Sequence, residues 1–419
     1  MTELALDEKE RIEAAARYET GEKPITTYTG LGKSRKWYYK WLNRFKTGEK
    51  EWYKDHPKVA KQIYNRINEE IEQAVVKIRM ELMAGNNDEY RYSFVGAEAI
   101  QFHMEKLGYG SSDIPSTSTI KRIVRRNKLR VNKPERYKRV RSKGRYTIIN
   151  PKCVDEMHQM DYVGPRHIKG YGPINSLHLK DVVGRQVAGR QYKEKSMDNA
   201  MVFLLDYWKQ HPTPKYLQVD NGMCFAGDFK HPKSFSRFVR LALYVGIEVV
   251  FIAPSKPWMN GTIEEFNKDF ARLFWKKEQF VDLDDIRRKA SKFFEQQNEF
   301  NIWKLNDKNL ESINPKRILP EDFTIDVNKL PLVAGKIHFI RIVDSNGRIS
   351  VLNEYFNVGK EYIGEYAWAT IETRKQTLTI YYNDEKLQVM EIKKFYYKMP
   401  ERVCPQKHSI FDNISGKKV

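Results

Sequence analysis

From residue 153 onward the hydrophobic pattern of this chain stops being purely helical, and that switch narrows the folds open to it. Residues 153–163, 175–183 and 185–192 read as three successive strands. Helix and strand then alternate. A helix over 196–210 carries Ala200, Leu204, Tyr207 and Trp208 on one stripe, a short strand covers 216–220, a helix 233–245, and the buried strand "IEVVFI" 247–252. One more helix starts near Asn260 and another spans about 283–300. Three strands followed by this alternation predict an α/β core with a mixed five-stranded sheet.

The segments on either side have another character. Residues 7–20, about 24–30 and 34–48 read as helices, the last capped by Ser34. In it Tyr38, Trp41, Leu42 and Phe45 fall on one face, and Lys36, Lys40, Asn43 and Arg44 on the other. This is helix-turn-helix order, with a basic last helix suited to a major groove. A looser copy follows: helices at 64–84 and 94–107, then 116–129, where Ser116 or Ser118 can cap. Ile120, Ile123 and Val124 would pack, leaving Lys121, Arg122, Arg125 and Arg126 outward. Residues 332–395 hold short strand-like runs split by turn signals, which predict a small C-terminal β-barrel. The expected domains are therefore 1–57 and 58–130 (helical, DNA-binding), 131–150 (basic linker), 151–320 (core), 321–400 (barrel) and 401–419 (tail).

Charge sharpens the expectation about partners. The chain has 419 residues and a net charge of +20. Residues 1–120 hold 19 basic and 19 acidic side chains, whereas 121–145 hold 13 basic and one acidic. So concentrated an excess, including Lys138, Arg139 and Arg141, suits a track along nucleic-acid phosphates. The three cysteines are scattered and form no CxxC pair, and the charged N-terminus lacks an apolar signal region. An intracellular, cytoplasmic setting on the nucleoid is expected.

Asp161 closes the first core strand in "HQMDYVGP" and Asp220 the fourth in "QVDNGMCF". "PWMNGTIEEFNKDF" offers Glu264 and Glu265 at a helix start. Each aspartate alone reads as a turn or cap residue. Together they are hard oxygen donors of the kind that suits Mg²⁺ or Mn²⁺. The apolar stripe Ile263, Phe266, Phe270, Leu273 and Phe274 leaves Glu264 and Glu265 at equal angles, so periodicity does not choose between them. Thr262-x-x-Glu265 fits a capping box, and Asn260 fits an N-cap. His158, His167 and His178 lack metal-ligand spacing.

These motifs resemble the ribonuclease H-like core of DDE transposases and retroviral integrases over 153–310. The whole layout resembles insertion-sequence transposases. The resemblance implies Asp161, Asp220 and Glu264 as catalytic, metal-holding acids, Lys268 and Arg272 as DNA contacts, and Asp181 as structural. It implies two Mg²⁺ or Mn²⁺ ions per site, double-stranded DNA as substrate (element terminal repeats and target), and a homodimer or higher multimer. Two departures stand out: His158 sits where the family carries Trp, and the 220-to-264 interval is long, which fits an insertion at "AGDFKHPKS". The implied activity is hydrolysis and strand transfer in transposition. The rival reading is a domesticated, non-catalytic DNA-binding regulator, which would be expected to have lost one acid. A structure-selective nuclease on the same core would not need two sequence-reading domains.

Overall fold

The computed structural model describes residues 5–56, 67–131, 149–227, 232–308, 310–383, 388–406 and 410–411. The chain forms two compact units, Met1–Asn68 and Glu69–Val419.

The first unit holds α1 (Leu6–Glu19), α2 (Pro24–Gly30) and α3 (Arg35–Lys46). Proline opens α2, where its missing N–H is not needed. Ser34 caps α3, accepting from the Trp37 N–H at 3.2 Å. Tyr38, Trp41 and Leu42 are buried as expected. Arg11 lies over the Trp41 ring and donates to the Tyr53 carbonyl and to Asp55.

The second unit begins with α4 (Glu69–Ala84), α5 (Ala97–Lys106) and α6 (Thr117–Arg126), which pack on one another. Ser116 is the cap of α6, accepting from the Thr119 N–H, and Ile120 and Ile123 point inward. The core follows: β1 (Met157–Ile168), β2 (Gly172–Asp181), β3 (Val187–Tyr192), α7 (Met197–Trp208), β4 (Tyr216–Val219), α8 (Met223–Ala226), α9 (Arg237–Tyr244) and β5 (Glu248–Phe251). Next come α10 (Gly261–Asp269), continuing into a π-helical turn over Phe270–Trp275, and α11 (Leu283–Leu305). The C-terminal strands are β6 (Lys336–Ile342), β7 (Arg348–Val351), β8 (Glu354–Asn357), β9 (Tyr366–Glu372), β10 (Thr377–Asn383) and β11 (Val389–Tyr396).

The expected five strands are present, but the sheet has nine, in the order β11-β10-β9-β6-β5-β4-β1-β2-β3. β1, β2 and β3 pair antiparallel, while β1, β4 and β5 run parallel. β6 then pairs parallel with β5, Val250 opposite His338, so the strands read as a separate barrel extend the core sheet. The physical reason is the β5 edge: its Val249, Val250 and Phe251 are fully apolar, and an uncovered edge of this kind is a pairing template. β7 and β8 form a two-stranded sheet of their own.

Helices cover both faces of the core. α7 and α9 bury Leu204, Trp208, Phe238 and Leu241 against Met160, Leu177 and Val249. On the opposite face α10 and α11 bury Ile263, Phe266, Phe270 and Phe293. A Cβ on Gly189 would stand 2.5 Å from the Phe294 ring, so only glycine lets α11 approach β3 this closely. The α4–α6 group is tied to α11: Trp303 donates to Glu105 at 2.7 Å, Lys304 pairs with Glu98, and Tyr92 lies between Phe274 and Phe293.

Candidate active site

β1 and β4 run side by side with Gln159 opposite Gln218. Along an extended chain residues i and i+2 share a face. Asp161 and Asp220 therefore leave neighbouring strands at one level and on one side of the sheet. The two glutamines beneath them hold the helix that carries the third acid. Gln159 Oε1 accepts the Ile263 N–H at 3.0 Å, and Gln218 Nε2 donates to the Met259 carbonyl at 2.9 Å and to Asn260 Oδ1 at 3.3 Å. Asn260 Nδ2 in turn donates to the Met160 carbonyl. This pins the first turn of α10 across the strand ends, and Glu264 is the residue after Ile263. Asn260 stands at the N-cap position, yet its side chain does not cap the helix, being spent on the strands.

Electrostatics marks the same place. The Asp161 carboxyl is pushed up to about 7, first by burial and next by the Asp220 charge, with Glu264 adding to the rise. Lys195, exposed in the loop after β3, opposes it. Asn267, one turn beyond Ile263 in α10, donates to Asp161 Oδ2 at 2.9 Å. Its own Oδ1 lies 2.7 Å from His178 Nδ1, and burial lowers that imidazole to about 4. A neutral His178 donating to Asn267 thus fixes the amide that steers Asp161. The two glutamates part company: the charge of Glu264 bears on Asp161, whereas that of the exposed Glu265 bears on Lys180.

The ligand atoms of Asp161, Asp220 and Glu264 do not all come within 4.8 Å of one another; among the described residues Asp155, His158 and Asp181 form the group that does. Like charges keep the first set apart, and each aspartate has taken a local donor: Asn267 for Asp161, and the Gly222 N–H for Asp220 at 2.9 Å. A Cβ on Gly222 would stand 2.9 Å from that same Asp220 oxygen. In the buried group the carboxylates are partnered within the protein, while His158 Nδ1 has no hydrogen-bond partner. His158 Nε2 lies 3.0 Å from Asp155 and 3.6 Å from Asp181, whose oxygens also take the Asp155, Val183 and Gly184 N–H groups. Ser312 closes it on Asp155. The imidazole is held above its ordinary pKa by both carboxylates against burial, and Asp181 is held below its own. This is an ion-paired brace at the far end of β1. His158 is fully buried here and faces Tyr207.

The basic residues divide by what they already touch. Lys36, Lys121, Arg122, Arg125 and Lys268 are exposed. Lys40 leans on Trp41 and pairs with Asp55; Arg44 pairs with Glu49 and is largely covered. Arg126 is bound to Glu72, and Arg272 to Asp269. Lys138, Arg139 and Arg141 lie outside the described residues.

Residues 245–301 match the integrase core domain family, a stretch that runs from β5 through Glu264 into α11. Among solved structures, the catalytic core domain of BIV integrase aligns at 16% identity over 37% of this chain and 98% of that one, with a TM-score of 0.27. The simian T-cell lymphotropic virus intasome in complex with PP2A regulatory subunit B56 gamma aligns at 13% identity over 72% of this chain and 99% of that one, with a TM-score of 0.31. The family match therefore falls on the part of the mixed sheet and its flanking helices that holds Glu264.

Gln159, Gln218, Asn267 and Lys195 were not singled out from the sequence. The signal for the first two was there: "QMD" and "QVD" repeat the pattern Gln-x-Asp, the first inside β1 and the second at the end of β4.

Proposed function

We propose that this chain binds double-stranded DNA and catalyses divalent-cation-dependent phosphodiester hydrolysis and strand transfer at Asp161, Asp220 and Glu264. The observation that carries the reading is the shared level of the two aspartates on paired parallel strands, with the Glu264 helix pinned across them by Gln159 and Gln218.

The donor set fits Mg²⁺ or Mn²⁺: three carboxylates with no sulfur or imidazole among them, with Asp161 raised by burial first and by the Asp220 and Glu264 charges after it. Asp161, Asp220 and Glu264 would hold two such ions, which when bound activate a water or a DNA 3′-hydroxyl and offset charge on the leaving oxygen. The protein's own groups do the rest. Gln159 and Gln218 fix the register between the strands and the Glu264 helix. Asn267, oriented by His178, aims the Asp161 carboxylate. Lys195 and Lys268 present exposed cations near the acids and on the Glu264 helix, for the phosphates on either side of the scissile one. The exposed α3 and α6 faces read element ends, and two ends handled in concert call for a dimer or higher multimer.

The test is a supercoiled plasmid carrying the DNA that flanks the coding sequence, incubated with the full chain and Mg²⁺. Nicks that leave 3′-hydroxyls at the element ends are expected. Intact plasmid with Mg²⁺ and with Mn²⁺ overturns the reading.

A further inference from the structure

Beside Asp220 lies an arginine that the chemistry above does not use. Arg341, on β6, spends its guanidinium on oxygens of its own strand and of three other segments. Nε donates to the Ser350 carbonyl at 2.9 Å, Nη1 to the Ile340 and Ile252 carbonyls at 2.8 and 3.3 Å, and Nη2 to Asn221 Oδ1 at 3.0 Å. Asn221 Nδ2 donates to the Ile252 carbonyl at 2.6 Å. The ring Arg341–Asn221–Ile252 thus joins β6, the end of β5 and the loop after β4. A cation taken from water is ordinarily matched by a carboxylate. Here burial is what perturbs Arg341, lowering it to about 10, and among the described residues no acid charge bears on it. A cavity of about 310 Å³, walled by Phe251, Phe339 and Leu352, opens against it. Holding a cation there costs stability, and the planar fork is what it supplies in return.

We propose that Arg341 is a positioning residue for the second acid: through Asn221 it locks the Asp220–Gly222 loop, and so makes the C-terminal strands a working part of the active site. The proposal rests on the function proposed above for Asp220. Asn221 is the residue between Asp220 and Gly222, whose N–H holds the Asp220 carboxylate. Free rotation at Asn221 would release both ends of that contact. Arginine is required because a lysine cannot reach the Asn221, Ile252 and Ser350 oxygens in one plane.

Cys224 supplies a reporter. It is half-buried in α8, two residues beyond Gly222, and the Asp220 charge reaches its thiol. In the metal-free full chain, iodoacetamide labelling of Cys224 is followed by mass spectrometry, with the exposed Cys153 as internal reference. Arg341→Met, Arg341→Lys and Asn221→Ala are each expected to speed Cys224 labelling about tenfold, the scale of removing one charged hydrogen bond. The Arg341→Met, Asn221→Ala double variant should be no faster than either single, since both break the same hydrogen bond. Arg341→Lys keeps the charge and the stem and so decides the matter if the methionine variant does not fold. In nicking assays the same variants should need about tenfold more Mg²⁺ for half-maximal rate, at unchanged DNA affinity. Wild-type labelling, additive doubles or an unshifted Mg²⁺ midpoint overturns the proposal. Absence of nicking by the wild-type protein strikes the proposed function instead, and the labelling still decides the Arg341 contact.

Discussion

Asp161 is the residue on which the chemistry and the stability of the site meet. Its carboxyl sits at about 7 in the folded chain against an ordinary 3.8. A raised carboxyl binds a proton in the folded state that the unfolded chain has already released. Its penalty is therefore fully present above about pH 7 and is relieved as pH falls toward 4. In EDTA, Asp161→Asn is expected to raise the unfolding free energy at pH 8 by up to a few kcal/mol, at about 1.4 kcal/mol per pKa unit less solvent screening, and the melting temperature with it. The gain should fade as pH drops to 4, and a gain independent of pH would contradict it. Asp220 was legible in the sequence because a charge ending an apolar strand is unusual; Asp161, expected at a strand end, lies inside β1, which runs on to Ile168. The choice of Glu264 over Glu265 was not legible, because it depends on which way the helix is rolled onto the strands. That roll is set by Gln159, 104 residues away from Ile263.

At the scale of elements, α10 is the piece that must be placed. Its apolar stripe, Ile263, Phe266 and Phe270, would tolerate small slides along the sheet, and the hydrogen bonds at its first turn remove them. Gln159→Leu leaves the Ile263 N–H without its acceptor at a buried position. A destabilisation of about 1–3 kcal/mol is expected, together with a larger drop in nicking than in DNA binding. Equal nicking by the variant and the wild type would remove this docking from the account. The core strands and helices were readable from local periodicity, which needs only neighbours. The fate of the C-terminal strands was not. "KIHFIRIV" announces a strand but says nothing of its partner, and pairing with β5 joins residues nearly ninety positions apart. Nine strands in one sheet, in place of five and a barrel, follow from that one parallel pairing.

Over the whole molecule, charge sets how the proposed DNA substrate would be held. The basic excess at 121–145 was plain in the composition, but which side chains are available was not, because pairing is a property of the fold. Arg126 is bound to Glu72, while Lys121, Arg122 and Arg125 are exposed. Replacing these three by Ala should flatten the log–log salt dependence of DNA affinity by up to about 0.9 for each phosphate that is no longer neutralised. Arg126→Ala should flatten it less. An equal change from Arg126→Ala would mean that the Glu72 pair opens on DNA. Among the described residues no helix is long and apolar enough to cross a membrane.

The central claim is that Asp161, Asp220 and Glu264 form one cation site, and Mn²⁺ binding tests it most directly. Paramagnetic titration of the full chain should show Mn²⁺ uptake that disappears in Asp161→Asn, Asp220→Asn and Glu264→Gln and is kept in Glu265→Gln. Equal uptake by the wild type and the three amide variants would contradict the claim.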